Sequence, residues 1–388
     1  MSEKYLFLYL KTGGGHLAPA KAVAGHIKEC SDREIDISLV DGFAEAPSLI
    51  KKIIEDGYSF SQSRAKWIFE SLYALNKIPP VAKLVNLIVS AAVKPYLKKV
   101  ILENGPKKIV IFHFFLIKPV FDILEEQKMK TPVITVVTDP YSAHPIWFIQ
   151  KKQNFVVFSE DLKSYSAKRK VPEDNVKVFP FIVDRKFSVR PSGEMISAYR
   201  KKHGFSENGR IILIIGGGDG IPRGKSILKK ILKSGIDSEI AIVCGRNEKL
   251  KARSAKLKEK YKADNLKIFG FIDFVHELIS ISDLVITKCG ASTFMEILLT
   301  GKVPLINNYI WEQEKGNVQF VTKNKMGVYE KRVRKIPKVL NSFFSDSEGI
   351  KNYQNNIDKA GLKSGTAEVS EYIVNFDRDK KKDVEGKA

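Results

Sequence analysis

Cysteine is scarce in this chain: Cys30, Cys244 and Cys289 are odd in number and show no C-x-x-C spacing. A disulfide framework and a zinc knuckle are thereby excluded, and a reducing, cytosolic setting is expected. Long apolar runs are missing too. A bilayer span needs roughly 18 apolar residues in a row, whereas the nearest approach, residues 84–93, is about half that length and contains Asn86 and Ser90. The chain is therefore not expected to cross a membrane. Its first ten residues read as a buried strand rather than a signal core, because no small-residue cleavage site follows. With only 26 Gly and 16 Pro among 388 residues the chain is not of low complexity, and 44% hydrophobic residues are enough for two full-sized cores.

Carboxylates are also in short supply. Lys and Arg number 65 against 44 Asp and Glu, a formal charge of +21, and such a surplus points to a polyanionic partner. Where the shortage falls discriminates between partners. Residues 71–102 contain no carboxylate, and Lys77, Lys83, Lys94, Lys98 and Lys99 are interleaved there with Leu72, Leu75, Ile78, Val81, Leu84, Leu87 and Ile88. Basic and apolar residues mixed at near-helical spacing describe a helix lying in an anionic membrane interface, where each lysine at a headgroup adds about 1 kcal/mol. An ordinary core helix with a solvated lysine face fits the same pattern. Nucleic acid is not expected as a partner, since no recognisable module is present and the stretch offers few stacking aromatics beyond Tyr73 and Tyr96.

Apolar runs bounded by turn residues recur at 6–10, 35–40, 109–115, 133–137 and 155–158, and again at 211–215, 239–243, 267–269, 284–286 and 303–306. Helix-like patterns separate them. Strands alternating with helices predict α/β architecture, two Rossmann-like domains each with a doubly wound parallel sheet. Periodicity breaks at residues 184–192, which sets the expected division: residues 1–185 for an N-terminal domain and 186–350 for a C-terminal one. Residues 351–376 read as terminal helices packing back on the N-terminal domain, and 377–388 as a charged, disordered tail.

After the first strand comes Lys11-Thr12-Gly13-Gly14-Gly15-His16, a glycine loop running into a helix. It has neither the Lys-Ser/Thr ending of a P-loop nor the GxGxxG order of a dinucleotide site. Three glycines in a row allow close backbone approach by a substrate, which makes His16 a candidate general base, although a lone histidine is more often structural. Asp139 closes the fourth strand on the same sheet edge, placed either to orient His16 or to take the proton itself. His144 and Trp147 follow, fit to grip a hydroxyl beside an apolar body; a capped strand end with a packed Trp reads equally well. In the second half, Gly216, Gly217 and Gly218 form a loop whose amides can approach a pyrophosphate. The stretch from Ser282 to Glu296 carries Gly290, Ala291, Ser292 and Thr293 into a helix with Glu296 near its first turn, an arrangement suited to an anion and a ribose. Its structural alternative has Thr293 as N-cap and Glu296 completing a capping box.

These motifs, joined by Cys244-Gly245-Arg246-Asn247, Phe269-Gly270-Phe271-Ile272 and Glu312-Gln313-Glu314-Lys315-Gly316-Asn317, resemble glycosyltransferase family 28 in their order and spacing over roughly residues 5–329. The resemblance is to the branch that makes monogalactosyl- or monoglucosyl-diacylglycerol. It implies the GT-B fold, two Rossmann-like domains facing a cleft, and inverting transfer of a sugar from a UDP-sugar without an essential metal. By position it makes His16 the base and Asp139 its acidic companion, with Gly13, Gly14, Gly15, His144 and Trp147 around the acceptor. Glu296 becomes the ribose-binding carboxylate, Gln313 and Glu314 the pair that reads sugar hydroxyls, Asn317 a supporting amide, and Phe271 and Ile272 the backbone that meets uracil. Gly245 and Arg246 complete the donor loops. Two departures are present: Gly290-Ala291-Ser292-Thr293 replaces a Gly-Pro-Gly-Thr-like turn, and Lys11 stands where relatives carry Asp or Ser.

No cofactor is expected. The one Asp-x-Asp is Asp377-Arg378-Asp379 in the tail, and His/Cys clusters are absent, so charge on departing UDP falls to a helix N-terminus, loop amides and Arg246 or Lys288. The expected partners are UDP-galactose or UDP-glucose, diacylglycerol or another lipid alcohol, and an anionic membrane surface on the inner face of the cell membrane. The alternatives are a lipid-II-type N-acetylglucosaminyltransferase, a UDP-N-acetylglucosamine 2-epimerase, and a non-catalytic protein that binds nucleotide sugars or nucleic acid.

Overall fold

The computed structural model describes residues 2–11, 14–51, 54, 78–151, 153–310 and 312–376. The described residues up to Asp184, together with residues 365–376, form one compact unit, and the described residues of 185–364 form a second. Each unit is built on a six-stranded sheet. In the first, β1 (Glu3–Tyr9), β2 (Ile35–Asp41), β3 (Lys108–Ile111), β4 (Val133–Val136), β5 (Asn154–Val157) and β6 (Val176–Val178) run in the order β2-β1-β3-β4-β5-β6. In the second, β7 (Ile211–Ile215), β8 (Glu239–Val243), β9 (Leu266–Phe269), β10 (Leu284–Lys288), β11 (Val303–Asn308) and β12 (Val328–Tyr329) run in the order β12-β11-β10-β7-β8-β9. All pairings are parallel. Both doubly wound sheets read from the alternation of apolar runs are therefore present. Central strands such as Leu6-Phe7-Leu8 and Ile212-Leu213-Ile214 are wholly buried, because helices cover both faces of a parallel sheet.

Two differences from the sequence reading matter for the site. The apolar run 109–115 is not one strand: β3 stops at Ile111, and His113 then caps a short turn, Phe114–Leu116, by accepting the Phe115 N–H on its side chain. The terminal segment 351–376 does not return to the first unit as a block. Helix Ser347–Lys359 packs on helix Ile336–Ser345 and β11 in the second unit, whereas helix Thr366–Asn375 packs on helix Leu17–Cys30 of the first. Residues 377–388 lie outside the described residues.

Of the carboxylate-free stretch 71–102, the described part lies in one helix, Pro79–Asn104. Its inner face buries Ala82, Val89, Val93, Leu97 and Ile101, while Leu84, Leu87 and Ile88 are each more than half exposed on the outside. The helix thus belongs to the core along one face and offers apolar side chains to solvent along the other. Its lysines are not one row. Lys83 and Lys99 are exposed, Lys98 is half-buried, and Lys94 is ion-paired with Glu126 of the adjacent helix Ile117–Glu126. Lys77 lies outside the described residues.

The last helix is held by buried charge. Lys108, at the start of β3 and only 4% exposed, donates Nζ to the carbonyls of Ile373 and Val374 at 2.9 and 2.6 Å, and Arg33 adds a bond to Val374 O. A cation at the C-terminal end of a helix meets both the orphan carbonyls and the negative end of the dipole. Lys108→Met should therefore lower the stability of the first unit by about 1–3 kcal/mol, measured by urea unfolding. An unchanged midpoint would show that the carbonyls are satisfied without it.

Candidate active site

Strands of a parallel sheet end on a common edge, and a ligand crevice opens where the strand order reverses. In the first unit the reversal lies between β1 and β3, since the chain steps from β1 to β2 on one side and then to β3 on the other. The glycine loop and His16 follow β1; Phe112 and His113 follow β3; Thr138 and Asp139 follow β4. His16 Nδ1 is 2.8 Å from the Phe112 carbonyl oxygen and 2.7 Å from Thr138 Oγ1. Because a carbonyl only accepts, Nδ1 carries the ring proton and Nε2 keeps its lone pair. Burial of the ring lowers its pKa to about 4, opposed in part by the Phe112 carbonyl. The imidazole is neutral at physiological pH, a state in which it can accept a proton.

The sequence reading placed Asp139 either to orient this imidazole or to take the proton itself; the hydrogen bonds that orient the ring come from Phe112 and Thr138. Asp139 Oδ2 instead accepts the indole N–H of Trp147 at 2.9 Å. The reason is burial: Trp147 has no exposed surface, and a buried indole N–H needs an acceptor. Trp147 is thus packed, edge-on to Phe114 at 5.4 Å, rather than presented as a gripping surface. His144, also buried, accepts the Ile146 N–H on Nδ1 and so caps the turn Pro145–Phe148. His113 was missed altogether. It is 3% exposed, and its ring stands edge-on to His16 with centroids 4.5 Å apart. The rule that selected Asp139, a titratable group at the C-terminal end of a strand, would have found it had β3 been ended at Ile111.

In the second unit the reversal falls between β7 and β10. Loop 216–220 follows β7 and packs on the loop after β8, where Arg246 N donates to Gly218 O at 2.7 Å. The Arg246 guanidinium stacks 4.4 Å over the ring of Phe271, which is 61% exposed beyond β9 with Ile272 half-buried beside it. After β10 the chain turns at Gly290, the N-cap of helix Ala291–Leu299, with no side chain capping it. Thr293 is the third residue of that helix and Glu296 the sixth, so the capping-box alternative is not realised and Glu296 stands in the second turn, half-buried. The Ser292 hydroxyl is buried without a protein hydrogen-bond partner. Glu314 Oε2 accepts the Ile310 N–H at 2.6 Å, and its Oε1 lies 3.5 Å from where a Gly290 Cβ would stand, which brings the β10 and β11 loops together. Gln313 is half-buried beside it, as is Lys288 at the end of β10. Asn317, 1% exposed, donates Nδ2 to Cys289 O at 3.0 Å, leaving its Oδ1 a buried acceptor with no protein partner. Burial and then the Glu314 charge raise the Cys289 thiol well above its ordinary value, so it stays protonated. Among the described residues no group of three His, Cys, Asp or Glu is placed to hold a metal ion.

The two glycine loops differ in kind. Gly13 lies outside the described residues, but Gly14 and Gly15 have no positive φ, and a Cβ added at either meets nothing within 4 Å. The fold does not require them. Gly245, by contrast, has φ +59° and a Cβ there would collide with the Gly218 carbonyl; a Cβ at Gly216 would collide with Gly220 and Ile221. Gly15→Ala should leave unfolding free energy within about 0.5 kcal/mol, whereas Gly245→Ala should lower it by about 1–3 kcal/mol or more. Denaturant titration of the two variants decides this, and equal losses would remove the distinction.

Two family models match the chain. One is described as monogalactosyldiacylglycerol (MGDG) synthase and covers residues 16–183; the other is the glycosyltransferase family 28 C-terminal domain and covers residues 211–370. The chloroplastic monogalactosyldiacylglycerol synthase of Spinacia oleracea is 25% identical over 354 residues, 88% of this chain and 66% of that protein. The chain spans about two thirds of the length of the plant relatives it matches. The processive diacylglycerol beta-glucosyltransferase of Bacillus pumilus is 24% identical over 378 residues, 96% of this chain and 95% of that one. In fold, the chain is similar to a glycosyltransferase from Rickettsia africae, with a TM-score of 0.60 and 15% identity over 97% of this chain and 100% of that chain.

Proposed function

This chain belongs to glycosyltransferase family 28, and from that membership we propose that it transfers galactose or glucose from a UDP-sugar to the hydroxyl of diacylglycerol at a membrane surface. The observation that carries the proposal is the pose of His16, a buried, neutral imidazole with Nδ1 fixed on a backbone carbonyl at the point where the sheet order reverses. An alcohol is a poor nucleophile until its proton is taken. His16 Nε2 takes it, the oxygen attacks the anomeric carbon, and the bond to UDP breaks with its electron pair left on the diphosphate. The Phe112 carbonyl steadies the imidazolium as it forms.

In the second unit, the uncapped N-terminus of helix Ala291–Leu299 and the loop amides after β7 and β8 receive the diphosphate, with Ser292 Oγ as an added donor. Glu296 binds the ribose, Gln313, Glu314 and Asn317 read the sugar hydroxyls, and Phe271 and Ile272 meet the uracil. The match of the first unit to a monogalactosyldiacylglycerol synthase model favours diacylglycerol over a lipid-II-type acceptor. Incubation with UDP-galactose or UDP-glucose and diacylglycerol, with products identified by mass, tests the reading; absence of a glycolipid with either donor overturns it.

His16→Ala should reduce turnover by about 10²–10⁴ and leave UDP affinity in calorimetry unchanged, since the base acts only in the chemical step. The pH dependence follows from the lowered pKa. Falling pH protonates this histidine in the unfolded chain near 6.5 but in the folded chain only near 4, so stability declines across that window while the base is still unprotonated. The acid limb assigned to His16 in kcat should accordingly lie near pH 4; a limb at 6.5 would mean a solvated base.

The membrane contact is made by the outer face of helix Pro79–Asn104, with Leu84, Leu87 and Ile88 entering the interface and Lys83 and Lys99 at the headgroups. Each apolar side chain moved from water adds about 1 kcal/mol or more. Replacing Leu84, Leu87 and Ile88 together with Ser should weaken binding to anionic vesicles at least about 10-fold in flotation, with activity on detergent-dispersed acceptor retained. Flotation equal to the parent would assign the docking face elsewhere.

A further inference from the structure

The first unit holds a second imidazole that the proton transfer does not use. His113 Nδ1 accepts the Phe115 N–H at 3.2 Å, so the ring proton of its neutral form is on Nε2. His16 is the reverse: its Nδ1 donates to the Phe112 carbonyl, and its lone pair is on Nε2. Neither Nε2 makes a hydrogen bond to the protein. Two adjacent backbone groups of opposite polarity thus set two touching rings, 4.5 Å apart and at 65°, in opposite tautomers. One offers an acceptor and the other a donor.

His113 is also kept from charging. Aromatic rings surround it, Phe114 at 4.3 Å, Phe115 at 5.5 Å and Trp147 at 6.4 Å. Burial and the neighbouring His16 hold its pKa well below 6.5. When His16 takes a proton, a second cation beside it is disfavoured further, so His113 keeps its single Nε2–H through the reaction.

We propose that His113 is the acceptor-selecting residue of this site: its Nε2–H binds an acceptor oxygen adjacent to the reacting hydroxyl while His16 Nε2 removes the hydroxyl proton. A donor placed on the attacking oxygen would lower its nucleophilicity, so the neighbouring oxygen is the productive partner. Diacylglycerol carries an ester next to its free hydroxyl; a simple long-chain alcohol carries none. With the alcohol, that N–H finds no partner on the acceptor, and a site built to hydrogen-bond a group discriminates against a substrate lacking it. The inference rests on the sugar-transfer reading above.

The test compares the parent protein with His113→Asn and His113→Gln on two acceptors, diacylglycerol and a 1-alkanol of matching chain length, in the same detergent micelles. Asn can still accept the Phe115 N–H but lacks a donor at the Nε2 position, and Gln restores an N–H near it. Expected for Asn is a loss of about 10- to 100-fold in kcat/KM on diacylglycerol with the alkanol rate nearly unchanged, and for Gln a substantial recovery on diacylglycerol. Equal losses on both acceptors, or unaltered preference in the Asn variant, would overturn the selecting role. Failure of the parent to glycosylate either acceptor is seen before any variant is made; it overturns the transfer reading, and this proposal with it. The tautomer is read separately from the ¹⁵N shifts of the His113 ring in the parent protein, where Nε2 protonation is expected and Nδ1 protonation refutes the proposal.

Discussion

The hydrogen bond from His16 Nδ1 to the Phe112 carbonyl ties the loop after β1 to the end of β3, across the gap where the strand order reverses. Much of the first unit's chemistry follows from that bond. It sets the tautomer of His16, directs the basic lone pair to Nε2, and holds the imidazole where burial keeps it neutral. A carboxylate in the same place would have raised the imidazole pKa. The carbonyl offers orientation with only a partial opposing effect on the proton affinity, which gives a weaker base that is unprotonated over a wide pH range.

Asp139 shows how packing redirects a polar group. Its backbone position at the end of β4 is the one anticipated, but eight residues later the chain buries an entire indole, and that N–H takes the carboxylate. The hydrogen bond in turn anchors the turn Pro145–Phe148 under the aromatic cluster around His113. Asp139 therefore supports this end of the sheet through Trp147.

The glycine loops divide along similar lines. At Gly245 the backbone of one loop rests on that of another, and at Gly216 the loop folds back on its own backbone, so a side chain at either position collides. At Gly14 and Gly15 the space beside the backbone is open, so packing does not demand that side chains be missing. Exposed apolar residues on helix Pro79–Asn104 have the same character. Nothing among the described residues of the unit requires Leu84, Leu87 or Ile88 to be apolar.

Much of the architecture was legible in the sequence because a parallel sheet buried on both faces writes continuous apolar runs. The strand-rich segments, two doubly wound domains and a break near Asp184 follow from that pattern, and the motif order identifies family 28. The two-residue strand β12 left no such trace, and the run 109–115 concealed where β3 ends, since a strand and an apolar turn share a composition. Hydrogen-bond partners were beyond reach for a different reason. Which acceptor serves His16, which indole takes Asp139, and the opposed tautomers of His16 and His113 depend on groups brought together from β1, β3 and β4. The sequence by itself determined the elements and the residue types at their ends; only the tertiary structure decided the pairings, because burial makes every polar group choose among the neighbours that the sheet order puts within 3 Å or so of it.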